Sequence, residues 1–81
     1  MTLYEILGVR PGARADEIEA AHRLLAARFD PKRYEGRQLG SFGPRLEAIR
    51  AAVENAYRTL ADPHGRREYD RQLRRQGRGR R

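Results

Sequence analysis

Residues 56–70 read Ala56-Tyr57-Arg58-Thr59-Leu60-Ala61-Asp62-Pro63-His64-Gly65-Arg66-Arg67-Glu68-Tyr69-Asp70, and they close one helix and open the next. Asp62 is a favoured N-cap residue, and Pro63 suits the first helical position, where an N–H would have no partner anyway. Upstream, Leu46, Ile49, Val53, Ala56 and Leu60 recur at intervals of three or four. That spacing places them on one side of a helix from about Pro44 to Ala61, with Ala52 and Tyr57 at the edges of the seam. At ~1.5 Å per residue the helix is roughly 27 Å long. Downstream, the helix opened by Pro63 is expected to run to about Gln76, with Tyr69 and Leu73 one turn apart as its large apolar groups.

A seam of that length needs a partner, and residues 15–29 supply one. Ile18, Ala21, Leu25 and Phe29 form a single apolar stripe. Asp16, Glu17 and Glu19 occupy the first turns, where the helix dipole favours negative charge. Pro31 disfavours helical geometry at Asp30, so the helix is expected to stop there. His22 borders the stripe and is expected to sit half-buried beside the seam, without a metal or acid–base role. His64, in the first turn of the last helix, is expected to be solvated. The two long helices are expected to lie antiparallel, with Leu25 and Phe29 facing part of the seam. Before them, Thr2-Leu3-Tyr4-Glu5 reads as a capping box. A short helix follows with Leu3, Ile6 and Leu7 on one side. Gly8 suits a left-handed C-cap closed over by Val9, and Pro11-Gly12 makes a turn. There is no strand-like alternation and no internal repeat. The expected fold is all-α: four helices over residues 1–76, with a central antiparallel hairpin of helices II and III.

Residues 30–43 show no sustained period, and Gly36, Gly40, Gly43 and Pro44 mark them as a loop. About fourteen residues is long for a helix–helix connection, where about two to eight is common. Leu39 and Phe42 within it are expected to fold back onto the hairpin and extend a thin core. The 81 residues fit one small domain. Without cysteine there is no disulfide framework and no thiolate metal site. No apolar stretch approaches the roughly 20 residues that cross a bilayer, and the N-terminus lacks signal-peptide blocks. A cytoplasmic monomer that makes no membrane contact is expected.

The net charge of +7 resides at one end. From His64 onward eight arginines face Glu68 and Asp70, whereas the first 63 residues hold ten basic and nine acidic groups. Residues 77–81 are expected to form a disordered Arg/Gly-rich tail or the start of a linker. Such a terminus attracts polyanions without sequence specificity. A weak nucleic-acid contact through Arg66, Arg67, Arg71, Arg74, Arg75 and the basic tail is therefore one alternative function. No aromatic interleaves these arginines to stack on bases. There is no carboxylate pair, nucleophile–base set or phosphate-cradling loop in a supportive context, so neither an enzyme nor a bound cofactor or metal is expected.

Four blocks in order carry a resemblance: Leu3-Tyr4-Glu5-Ile6-Leu7-Gly8-Val9; Glu17-Ile18; Ala56-Tyr57 with Leu60-Ala61-Asp62-Pro63; and Arg66 with Tyr69-Asp70. Together they resemble the J domain of DnaJ-type co-chaperones over residues 2 to about 73. The resemblance implies four helices and a partner, a DnaK-type ATPase chaperone. It also implies a His-Pro-Asp triplet after the second helix, needed to stimulate the partner's ATP hydrolysis, and a basic second helix that helps docking. Here the triplet position reads Asp30-Pro31-Lys32, which reverses the charges. A Lys cannot accept a hydrogen bond or pair with an Arg as a carboxylate does, and an Asp does not replace an imidazole donor at neutral pH. Glu19, Ala20 and Leu24 stand where the family tends to carry Lys or Arg. His22 stands where Tyr is usual. Arg50 replaces a common Phe, with Ile49 beside it.

The residues expected to meet the partner are Arg23, Arg28, Asp30, Pro31, Lys32 and Arg33. The expected function is a J-domain-like interaction module with weak or no stimulation of a DnaK-type chaperone ATPase. The further alternative is an active co-chaperone of a DnaK-type chaperone with compensating charges.

Overall fold

The structure, a computed structural model, describes residues 1–34, 36, 38 and 40–79. Its helices are α1 (Leu3–Leu7), α2 (Ala15–Arg28), α3 (Phe42–Ala61) and α4 (Pro63–Gly79), with a 3₁₀ turn at Pro31–Tyr34 between α2 and α3. No strand occurs among the described residues. The all-helical fold is the one the apolar periods predict. No described helix is long and apolar enough to cross a membrane.

The helix ends follow from local chemistry. At α1 the Thr2 hydroxyl accepts from the Glu5 N–H at 3.2 Å, and Glu5 Oε1 accepts from the Thr2 N–H at 3.1 Å. Gly8 closes the helix at φ 72°, with its N–H donating to Glu5 O and the Val9 N–H donating to Tyr4 O, both at 3.0 Å. These are the reciprocal cap and left-handed stop expected of that stretch. Asp62 Oδ2 accepts from the Gly65 N–H at 3.0 Å and so caps α4.

The order of cross-contacts sets the direction of the hairpin. His22 of α2 meets Tyr57 and Glu54 of α3, whereas Asp30 and Pro31 share a cleft with Arg50. As residue number rises on α2 it falls on α3, so the two run antiparallel. The main core gathers Tyr4, Leu7, Ala13, Ile18, Val53, Ala56 and Leu60. Leu25, Ile49, Tyr69 and Leu73 pack against it half-buried. Leu46 is buried apart from that cluster. The body is therefore tightest where α1 and α4 cover the hairpin and thinnest toward the α2–α3 tip.

Three expectations are corrected. The connection after Asp30 is not wholly irregular, because the 3₁₀ turn forms at Pro31–Tyr34. Phe42 stays 39% exposed and starts α3. Its ring lies 5.9 Å from that of Tyr34, so it packs on the loop's own turn. Leu39 lies outside the described residues. Finally, α4 continues to Gly79, three residues past the expected stop at Gln76. The backbone at 77–79 is helical where disorder was expected, since a helix-interior glycine costs only about 1 kcal/mol and no proline interrupts. Arg80 and Arg81 lie outside the described residues.

Candidate functional site

The tip of the hairpin begins where α2 runs out of helical partners. Phe29 caps it, donating its N–H to Leu25 O at 3.0 Å. Asp30 then nucleates the next turn twice over. Its carbonyl accepts from the Arg33 N–H at 3.0 Å, and its Oδ1 accepts from the Lys32 N–H at 3.0 Å. This is the local side-chain-to-backbone bond that lets Asp start turns. It folds the half-buried Asp30 carboxylate back onto its own turn, leaving Pro31, Lys32 and Arg33 exposed. The Tyr34 hydroxyl reaches back toward Arg28 O at 3.5 Å, a weak closure.

An open cleft of about 190 Å³ lies beneath this turn, lined by Leu25, Ala26, Phe29, Asp30, Pro31, Arg50, Val53 and Glu54. Arg50 donates to Glu47 Oε1 at 3.0 Å, one turn back on its own helix. Deeper along the hairpin the His22 ring stacks on Tyr57, with centroids 3.8 Å apart and planes 11° from parallel. His22 Nε2 lies 2.8 Å from Glu54 Oε1. That hydrogen bond holds the Glu54 carboxyl below the ordinary carboxylate range, and the Arg58 and Arg50 guanidiniums add to it. His22 thus joins the two helices, beyond the half-buried place expected of it.

Of the residues expected to meet a partner, Asp30, Pro31, Lys32 and Arg33 share the tip turn, and Arg28 precedes it exposed on the last turn of α2. Arg23 stands apart: its guanidinium pairs with Glu19 at 2.5 Å, one turn up the helix. Five residues separate Arg23 from Arg28, so they project about 140° apart around the axis. Among the described residues Arg28, Lys32 and Arg33 take part in no ion pair.

The sequence reading missed Leu24, which is 74% exposed. It shares a shallow groove with Leu7, Gly8, Ala21, Leu25 and Arg28. Its spacing was the available signal, since position 24 falls outside the stripe of 18, 21, 25 and 29.

The arrangement presents three cations and the exposed apolar Leu24 toward one end of the hairpin, with the Asp30 carboxylate folded back onto its own turn. Grouped cations of this kind attract negative charge electrostatically. Among the described residues no three potential metal-ligating side chains gather.

Comparison with known proteins agrees with the helical order. The DnaJ domain family model matches residues 2–70. The Chaperone protein DnaJ of Leptospira biflexa serovar Patoc is 40% identical over 67 residues, covering 83% of this chain and 16% of that protein. The DnaJ homolog subfamily C member 4 of Mus musculus is 39% identical over 70 residues, or 86% of this chain and 26% of its own length. The Xenopus laevis DnaJ homolog subfamily B member 14 is 33% identical over 69 residues, 85% of this chain and 17% of its own. The chain therefore spans only about a sixth to a quarter of these curated relatives. No solved structure matches it significantly.

Proposed function

Because the chain belongs to the DnaJ domain family, we propose that it is a J-domain co-chaperone module with an altered tip. It engages a DnaK-type chaperone, or another protein, and stimulates ATP hydrolysis weakly or not at all. Arg28, Lys32 and Arg33 make the contact, with Pro31 fixing the turn and Arg23 contributing from higher on α2.

One observation carries this reading. Asp30 Oδ1 is engaged by the Lys32 N–H, and the third triplet position holds an exposed Lys. The tip offers cations where a family member offers a carboxylate, so a partner arginine that expects that carboxylate meets repulsion.

The test is a single-turnover ATPase assay with the DnaK-type chaperone of the same cell. Stimulation is expected to be slight. The double variant Asp30→His, Lys32→Asp is expected to raise it. Stimulation by the unaltered chain equal to that of an ordinary J domain would overturn the proposal.

A second reading rests on the exposure of Arg28, Lys32 and Arg33. These cations suit a chaperone whose docking surface carries compensating acids, and with it the module is active. Charge reversal at Arg28 then abolishes chaperone binding; unchanged binding removes this reading.

A further inference from the structure

The two acidic residues of α4 are both occupied at or within the molecule's own surface. Asp70 accepts a short hydrogen bond from the Tyr4 hydroxyl, and Glu68 Oε1 accepts from Arg71 at 2.9 Å. Arg66 turns inward as well. Its Nη2 donates to Pro11 O at 3.0 Å and Ala13 O at 2.7 Å, and its Nε donates to the Tyr4 hydroxyl at 3.1 Å. Tyr69 accepts from the Leu3 N–H at 2.7 Å, and Leu73 packs on the core. Positions 66, 69, 70 and 73 thus define the side of α4 that faces the body.

At about 100° per residue, His64, Arg67, Arg71, Arg74 and Arg75 fall in one arc of about 100° on the opposite side. Every residue between 64 and 76 in that arc is basic, and all five are exposed. Arg67 and Arg75 lie eight residues apart, about 12 Å along the axis. That compares with the ~12 Å width of a B-form major groove. No apolar side chain interrupts the arc, so nothing there would enter a lipid layer. Tyr69 is turned inward and the arc holds a single ring, His64 at its first turn, so there is no run of rings to stack on successive unpaired bases. A regular row of guanidiniums without either feature matches a row of phosphates. We propose that this face of α4 binds the phosphate backbone of double-stranded nucleic acid, without reading its sequence.

The hairpin tip stays available during such binding. Helices α2 and α4 each pack on α3, and the exposed arc of α4 lies away from the side that faces the body. The module then holds a duplex on one side while presenting its hairpin to a protein on another.

The experiment is fluorescence anisotropy of the 81-residue chain with labelled duplexes of arbitrary sequence, one RNA and one DNA, about 20 base pairs each. Four phosphate contacts predict a log–log salt slope of about −3 to −4, so affinity falls roughly 100-fold between about 50 and 200 mM salt. The triple variant Arg71→Gln, Arg74→Gln, Arg75→Gln is expected to lose at least about tenfold in affinity and to flatten the slope by nearly 3. A control removes the same charge elsewhere, by Arg10→Gln, Arg45→Gln and Arg58→Gln, all exposed. It is expected to change affinity by less than about threefold. Far-UV circular dichroism checks that both variants fold, and the salt slope of the unaltered chain stands independently of them.

Binding to either duplex with this pattern supports the proposal. Four results overturn it: no duplex binding at about 50 mM salt; equal losses in the two variants; tighter binding to vesicles containing phosphatidylserine than to duplex; or equal affinity for an oligothymidine single strand.

Discussion

His22 and Tyr57 lie face to face across the hairpin, ring centroids 3.8 Å apart and 11° from parallel. The stack ties α2 to α3 at the level where Glu54 also meets His22. A stacked aromatic pair contributes about 0.5–1.5 kcal/mol beyond its area. His22→Ala is therefore expected to lower stability by about 1–2 kcal/mol, measured by urea denaturation. A loss within 0.3 kcal/mol of zero would show that the stack is incidental.

The same contact has a pH signature. The His22 hydrogen bond lowers the folded-state pKa of Glu54. A depressed carboxylate stabilises the fold above its unfolded pKa, and that contribution disappears as pH falls through the folded value. Glu54 is half exposed, so the effect is small and screened by salt. Glu54→Gln is expected to lower the melting temperature slightly at neutral pH. The difference should shrink as pH falls below the ordinary carboxylate range and toward the depressed folded value. A difference that stays constant as pH is lowered would count against this coupling.

At the other end of the body, Tyr4 is buried, with its hydroxyl shared between Asp70 and the Arg66 guanidinium. Burial first, and the Asp70 bond second, push its phenol above the ordinary value. Tyr4→Phe keeps the ring and removes the shared oxygen. It is expected to cost about 1–3 kcal/mol, because Asp70 loses its donor in a half-buried setting. Chemical denaturation reads this directly, and a neutral substitution would mean that water replaces the hydroxyl.

Ile18 and Leu24 offer a contrast within one helix. Ile18 is fully buried and Leu24 is 74% exposed. Ile18→Ala is expected to cost about 2–5 kcal/mol through cavity formation, and Leu24→Ala within about 0.5 kcal/mol of nothing. If Leu24 belongs to the partner surface, its substitution instead weakens chaperone binding. Equal stability losses at the two positions would contradict the burial pattern.

The tip can be tested without a partner. Asp30→Ala removes the acceptor of the Lys32 N–H, whereas Asp30→Asn retains an oxygen able to take the same bond. Amide hydrogen exchange at Lys32 is expected to speed up severalfold in the alanine variant and to change little in the asparagine variant. Global stability should move by less than about 0.5 kcal/mol in both, because the tip lies outside the core.

What the sequence made legible was short in range. The Thr2–Glu5 cap, the Gly8 stop and the Asp62 cap each lie within five residues of their partners, and the stripes follow helical period. Tyr4 shows where such reading ends. Its partners lie 62 and 66 residues away, and no period announces a polar pairing of that reach, so Leu3 and Ile6 were expected inside while Tyr4 is the more buried. At the tip, the reversed charges of Asp30-Pro31-Lys32 were plain from residue identity. Which way the Asp30 carboxylate turned was not, because a solvated side chain and a turn-forming one share the same letters. Phe42 was misplaced for a related reason: an apolar residue in a loop has several surfaces to fold onto, and Tyr34 was nearer than the hairpin.

Arg66 carries a consequence for where this polypeptide tolerates cutting. Its guanidinium sits on the carbonyls of Pro11 and Ala13, so the hinge between the first two helices is fastened by a residue more than fifty positions later. A protease nick or an engineered fusion near Asp62 would leave the long helical pair intact in sequence. It would nonetheless unlatch the opening turn at the far side of the chain, and the N-terminal segment would be the first to come loose.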